Sequence, residues 1–308
     1  MITLGIESTA HTLGIAVKDG DKIIHKLDTY QGSYIPRDLA EHKAKMFPIL
    51  LKEFNMEVDL IAVSQGPGIW APLSFGVSMA NYLSSKYNIP AIGVNHGYAH
   101  IYIHEYLSKQ KGELALYISG GNTSIVNLEN LKIVGETLDI GIGNMFDKAA
   151  RELGLKNAKE LEDLALNHKN FIEAPYSVKG MHVNFGGLLT WFKNNIGKYP
   201  KEDLAYSLFH TSFSMLLETL ARASFAFEKK NIIVCGGVAQ SRILKQMLEK
   251  FSKFYNLNII TGPDEFNRDN AAMIAVTGEY LYNKGIRTEF PIKPRPYYRI
   301  DDLRYILT

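Results

Sequence analysis

Leu114-Ala115-Leu116-Tyr117-Ile118, Ser119-Gly120-Gly121-Asn122-Thr123, Ser124-Ile125-Val126-Asn127-Leu128 reads as strand, glycine turn and returning strand. Apolar and β-branched residues fill both arms, and the glycines suit the turn between them. The same design opens the chain, with Ile2 to Ile6, a polar turn from Glu7 to Thr12, then Leu13 to Val17 and a further turn at Asp19-Gly20. The two hairpins begin about 112 positions apart, and each opens an alternating β/α stretch, as a duplicated two-lobe α/β fold would. The likeness is one of pattern, not identity.

Outward from the first hairpin, apolar spacing through Met46, Ile49, Leu50 and Phe54 predicts a helix from His42 to Phe54. Leu60 to Val63 reads as a short strand, Gly66-Pro67-Gly68 as a break and Phe75 to Tyr87 as a helix. Ala91 to Val94 then reads as the strand that delivers Asn95-His96, with Asn95 as helix cap. Beyond the second hairpin, helices are expected at 145–154, 159–167, 203–228 and 239–252, and strands at 231–235 and 257–261. The last twenty residues, rich in proline, arginine and tyrosine, read as a tail. The expected division is an N-terminal lobe 1–112, a C-terminal lobe 113–288 and a basic C-terminal tail 289–308.

The balance of 46% hydrophobic and 21% charged residues over 308 positions is that of a globular chain of about two domains. A net charge of +2 means that any polyanionic partner must be held by a local basic patch. The single cysteine, Cys235, excludes an internal disulfide and a multi-cysteine zinc site; within Ile232 to Cys235 it reads as buried strand. The amino terminus enters a strand at once and no apolar run approaches the roughly 18 residues of a membrane span, so the expectation is a soluble, cytoplasmic protein without a leader.

Two histidines four apart, His96 and His100, share one helix face and can converge on one ion; either could instead cap or pack. Gly97-Tyr98-Ala99 lies between them, so the glutamate of a zinc-protease helix is missing and peptidase chemistry loses its base. Asp269, in Asn267-Arg268-Asp269-Asn270, is the best further acid, with helix capping as its other reading. Tyr117 could offer a phenolate or pack in its strand. The Ser119-Gly120-Gly121 turn exposes backbone N–H groups to a phosphate or is an ordinary hairpin turn. Gly236-Gly237 admits an adenine ring or phosphate, or tight helix packing. Asp147 and Glu162 are candidate ribose acceptors beside Arg151. Basic residues gather at Lys293, Arg295, Arg299 and Arg304, interleaved with Tyr297 and Tyr298, and at Lys193, Lys198 and Lys201, a pattern that suits phosphate backbones and stacked bases or a solvated surface.

Seven ordered blocks carry a resemblance: Leu4 to Thr12, Ser64 to Gly68, Asn95-His96 through His100, Tyr117 to Thr123, Gly135-Glu136-Thr137-Leu138-Asp139 through Asp147, Cys235 to Ala239 and Arg268-Asp269-Asn270. Together they resemble the archaeal and eukaryotic tRNA N6-adenosine threonylcarbamoyltransferase family, the catalytic subunit of the KEOPS complex. The resemblance implies an actin-like, hexokinase-type fold of two duplicated lobes with the site in the cleft between them. It implies a metal-dependent acyltransferase that moves threonylcarbamoyl from threonylcarbamoyl-adenylate to N6 of adenosine 37 in tRNAs reading ANN codons, releasing AMP. By the same resemblance His96, His100, Tyr117 and Asp269 hold an iron or zinc ion, and Ser119, Gly120 and Gly121 take the phosphate side of the adenylate. Asp147 and Glu162 take its ribose, and Tyr117, Ile118, Gly236, Gly237 and Ser241 complete the nucleotide set. ATP, ADP or AMP analogues would fill the same site. The implied partners are tRNA, a kinase-like ATPase subunit on the second lobe and a small dimerising subunit against the first, where Met46 and Met79 could serve. No residue is singled out as general acid or base.

The chain departs from the family pattern three times. Lys156-Asn157-Ala158-Lys159 replaces a longer proline- and glycine-rich loop, Ser241 stands where the family has asparagine, and Asn184-Phe185-Gly186-Gly187-Leu188 replaces a Ser-Phe-Ser-Gly-Leu block. These bear on nucleotide affinity more than on the metal ligands. Two other readings stay open: an ATP-dependent phospho- or carbamoyltransferase of the actin-like superfamily, and a scaffold subunit whose nucleotide site has decayed.

Overall fold

A computed structural model describes residues 1–32, 35–54, 57–166 and 168–304; Asn167 and 305–308, which fall in an expected helix and the expected tail, lie outside them. The first hairpin forms as read. β1 (Ile2–Glu7) pairs antiparallel with β2 (Thr12–Asp19), Leu4 facing Val17, and β2 pairs with β3 (Lys22–Thr29). Then follow α1 (Pro36–Leu51), β4 (Leu60–Gly66), α2 (Trp70–Tyr87), β5 (Ala91–Asn95) and α3 (His96–Ser108). The sheet order is β3-β2-β1-β4-β5, with β1, β4 and β5 parallel.

The second hairpin, β6 (Leu114–Ile118) and β7 (Thr123–Asn127), is extended by β8 (Lys132–Glu136). After it come α4 (Ile142–Glu152), α5 (Ala158–Ala165), a small ladder of β9 (Val178–Lys179) and β10 (His182–Val183), then α6 (Gly186–Asn195) and α7 (Lys201–Phe227). β11 (Asn231–Cys235), α8 (Arg242–Tyr255) and β12 (Asn258–Ile260) follow. The order β8-β7-β6-β11-β12 repeats that of the first sheet strand for strand. Cys235 is buried in β11 as expected, and burial pushes its thiol pKa up.

α9 (Ala271–Asn283) corrects the expected division. It packs on β1, β2 and β4, so one unit comprises Met1–Lys109 with Arg268–Thr308 (unit 1) and the other Gln110–Asn267 (unit 2). Small residues make this possible. A Cβ at Gly5 would lie 2.4 Å from the Ala271 carbonyl oxygen, so the helix backbone touches the strand backbone directly. Each unit has its own core, Leu4, Ile6, Val63 and Val77 in unit 1 and Phe146, Phe209 and Phe213 in unit 2. Met46 and Met79 pack against the unit 1 core.

The expected basic tail is also corrected, because it is a strap bound to unit 1. Ile292 is buried in the core, a burial worth about 1.5–3 kcal/mol. The Arg295 N–H donates to the Gln65 carbonyl at 2.7 Å, and Asn81 exchanges hydrogen bonds with both backbone groups of Ile292. The Gly93 N–H of edge strand β5 donates to Thr288 Oγ1 at 2.9 Å, so the strap covers that edge. α1 starts at Pro36, six residues before the expected helix, because proline suits a first turn whose exposed residues carry no apolar period. α8 starts at Arg242 rather than 239, since Gly237–Gln240 close a 3₁₀ turn first. Among the described residues no helix is long and apolar enough to cross a membrane.

Candidate functional site

Two asparagine-capped helix starts meet in unit 1. Asn95 Oδ1 accepts from the Tyr98 N–H at 2.9 Å and fixes the start of α3, which presents His96 and His100. Asn270 Oδ1 accepts from the Met273 N–H at 2.9 Å and starts α9, which places Asp269 just before the helix. One ligand atom from each of His96, His100 and Asp269 lies within 4.8 Å of the others. Asp269 Oδ1 is 3.4 Å from His96 Nε2 and 3.2 Å from His100 Nε2, and the two imidazoles stand edge to face.

Behind His96 lies Glu7, at the buried end of β1. His96 Nδ1 donates to Glu7 Oε2 at 2.9 Å, while the Thr9 N–H and hydroxyl donate to Glu7 Oε1 at 2.7 and 2.5 Å. With Nδ1 committed, Nε2 is the ring nitrogen turned to the cluster, the arrangement by which a carboxylate orients a metal-ligating histidine. Burial disfavours the His96 imidazolium, but Glu7 and Asp269 outweigh it and raise its pKa to about 10. Burial pushes His100 below its ordinary value, His96 adding to that effect against Asp269. Burial would raise Asp269, yet the two imidazoles hold it well below the usual carboxylate range. Two nitrogens with one oxygen form a donor set that fits a divalent transition metal.

Unit 2 carries the glycine turns. The Ser119 turn and Gly236-Gly237 leave the C-terminal ends of β6 and β11, which are paired in parallel with Tyr117 beside Cys235. Gly236 has φ of 95°, and a Cβ there would meet the Ile118 carbonyl oxygen at 2.3 Å; at Gly237 and Gly121 a Cβ would meet nothing within 4 Å. The Asn144 N–H donates to the Gly120 carbonyl at 2.9 Å, tying the turn to the first turn of α4. One face of each turn is therefore packed and the other open, as close approach to a phosphate requires.

Residues 28–276 match the TsaD family, tRNA N6-adenosine threonylcarbamoyltransferase. A protein of that name from Nanoarchaeum equitans is 43% identical over 97% of this chain and 99% of its own. The chain belongs to the tRNA N6-adenosine threonylcarbamoyltransferase family. Its relative of the same name in Thermococcus sibiricus is 42% identical over 93% of this chain and 94% of its own. The fold is the two-lobed actin-like, hexokinase-type one. HypF from T. kodakarensis superposes with a TM-score of 0.63 at 16% identity, over 94% of this chain and 49% of HypF. The ROK hexokinase from Thermus thermophilus gives 0.52 at 14% identity, over 92% of this chain and 100% of its own.

Against the family's expected site, the structure brings His96, His100 and Asp269 together in unit 1 and places Tyr117, buried on β6, in unit 2. Ser241 and Glu162 meet, the hydroxyl donating to Glu162 Oε1 at 2.5 Å, and the same oxygen accepts the Ile243 N–H at 3.0 Å. Asp147 Oδ1 accepts the Ala158 N–H at 3.0 Å. In the loop after α4, Asn157 caps α5 through the Glu160 N–H. Lys193 pairs with Glu152 at 2.5 Å. Tyr298 is buried, which removes it as a base-stacking ring, whereas Tyr297 is 93% exposed. Sequence reasoning gave Glu7 and Thr9 no role. The available clue was a carboxylate ending an otherwise apolar strand, which a buried position obliges to find partners.

Proposed function

We propose that the chain transfers threonylcarbamoyl from threonylcarbamoyl-adenylate to N6 of adenosine 37 in tRNAs that read ANN codons. The observation that carries this reading is the His96, His100 and Asp269 cluster, backed by Glu7, in a member of this family. In the reaction N6 attacks the carbamoyl carbon, a C–N bond forms, the bond to the adenylate phosphate oxygen breaks with its electron pair on AMP, and N6 loses a proton.

His96, His100 and Asp269 would hold the ion, iron or zinc. Tyr117 joins them on the resemblance alone, and Tyr117→Phe tests it by metal content. When bound, the metal supplies Lewis acidity and a fixed point for orienting the donor. Glu7 keeps His96 in one tautomer and orientation. In unit 2 the open faces of Gly121 and Gly237 let backbone approach the adenylate, and Ser119, Gly120 and Ile118 line the same turn. Glu162, with Ser241 and Ile243 on Oε1, and Asp147 are the ribose acceptors. We also assign tRNA, a kinase-like ATPase subunit and a small dimerising subunit of a KEOPS assembly as partners, on the resemblance.

The test supplies purified chain, metal, threonylcarbamoyl-adenylate and unmodified tRNA, with and without those subunits, and reads modified adenosine by nucleoside mass spectrometry. Product that depends on His96 and Asp269 supports the transferase. No product with every component present supports the scaffold.

A further inference from the structure

The strap that closes unit 1 roofs a cavity of about 390 Å³, a volume within the range of sites for nucleotide-sized ligands. Among its described lining residues are three cations, Arg287, Lys293 and Arg295, and one carboxylate, Glu289. Both arginines are held flat. Arg287 Cζ lies 3.7 Å from the centre of the Tyr282 ring, and its Nη1 donates to the carbonyls of Tyr282 and Ile286 at 2.8 Å. Arg295 lies 3.7 Å over Tyr298, with Asp302 at 3.6 Å from its Nη2. Stacking fixes each guanidinium plane in advance, which lowers the entropy lost when an anion binds.

The backbone between them is anchored as well. Gln65 Nε2 donates to the Lys293 carbonyl at 2.9 Å, and the Gln65 carbonyl accepts the Arg295 N–H. Lys293 is thus an exposed cation on a fixed backbone. Next to Tyr298 in the chain, Tyr297 leaves 93% of its surface open, so packing does not account for this ring. Cations lining a nucleotide-sized cavity, with an open aromatic one position along the chain from the lining residue Tyr298, are the elements with which proteins hold a phosphodiester and stack an unpaired base.

We propose that this cavity anchors the tRNA substrate, with a backbone phosphate held by Arg287, Lys293 and Arg295 and an unpaired nucleotide stacked on Tyr297. The assignment rests on the tRNA reading given above. It is a binding site separate in residues from the metal ligands and from the glycine turns.

The experiment measures unmodified tRNA binding to the full-length, metal-loaded chain across a salt series, for the wild type, an Arg287→Gln/Lys293→Gln double variant and Tyr297→Ala. All three changes fall on exposed side chains, and unchanged metal content reports an intact fold. The double variant is expected to flatten the slope of log K against log salt by about 1.5, two lost phosphate contacts at roughly 0.7–0.9 each. Tyr297→Ala is expected to weaken binding about tenfold at unchanged slope, as loss of stacking does. Wild-type affinity and slope in both variants overturn the proposal while leaving the tRNA reading in place; failure of the wild type to bind tRNA overturns both. Inorganic phosphate and ATP, titrated calorimetrically, form a separate arm. Loss of their binding in the double variant with tRNA binding untouched assigns the cavity to a free phosphorylated ligand and overturns the RNA anchor.

Discussion

Units 1 and 2 repeat one strand order, yet they build candidate sites of opposite kinds. In unit 1 the site consists of side chains, His96, His100 and Asp269, held by Glu7 and by two asparagine caps. In unit 2 it consists of backbone turns at the ends of β6 and β11, with glycines packed on one face and open on the other. Duplicating a scaffold does not duplicate its chemistry. A side-chain site fails at any one ligand, whereas a backbone site loses stability where a Cβ meets neighbouring backbone and loses ligand where a Cβ fills its open face.

The comparison is tested hardest at the ligands. His96→Ala and Asp269→Ala are each expected to abolish metal retention and modified adenosine while the fold survives, read by elemental analysis and nucleoside mass spectrometry. A variant that kept both would break the comparison at its root. Glu7→Gln is expected to weaken metal affinity by about 10–100-fold, because its amide cannot accept both Thr9 hydrogen bonds and orient His96 as the carboxylate does. A metal titration with unchanged affinity would reduce Glu7 to packing.

In unit 2, Gly236→Ala is expected to cost about 1–3 kcal/mol, from its positive φ and the Ile118 carbonyl in its path. Gly237→Ala should leave the melting temperature in place and weaken AMP binding, since its Cβ fills only open space. Thermal melts and calorimetry on the pair distinguish the packed face from the open one, and equal melts would blur that distinction.

A last effect, seen only as a pH dependence, concerns Lys43, buried in unit 1 with its ammonium donating to the Thr12 carbonyl. Burial lowers its pKa to about 8 from an ordinary 10.5, although Glu7, Asp269 and Asp28 pull the other way. Between these values the unfolded chain binds the proton that the folded chain releases, so stability rises with pH from about 8 to 10.5, by at most about 1.4 kcal/mol per pH unit. Denaturation midpoints across that window should flatten in Lys43→Met.

Alternation and turn chemistry made the hairpins and their duplication legible, because each hairpin is local. β3 was not foreseen, since Lys22 to Thr29 alternates weakly and lies at a sheet edge, and α6 was hidden behind the glycines at 186 and 187. The histidine spacing pointed to an ion but left capping and packing open. Glu7, which accepts from His96 across 89 positions, belongs to no local pattern. Composition misread the strap, because its anchors are Gln65, Asn81 and Asn95, polar side chains that show no period. Glu162 was legible as a candidate ribose acceptor, whereas the sharing of its Oε1 between Ser241 and the Ile243 N–H, 79 and 81 positions away, belongs to no local pattern.

Unit 2 is one unbroken run of chain, while unit 1 is completed only by residues from Arg268 onward. During synthesis, residues 110–267 can therefore collapse as a unit while the first sheet still waits for α9. Asp269 arrives with that late segment, so a chain interrupted on the ribosome before it contains both histidines and lacks their carboxylate. An ion held by all three side chains would therefore require a chain translated past Asp269.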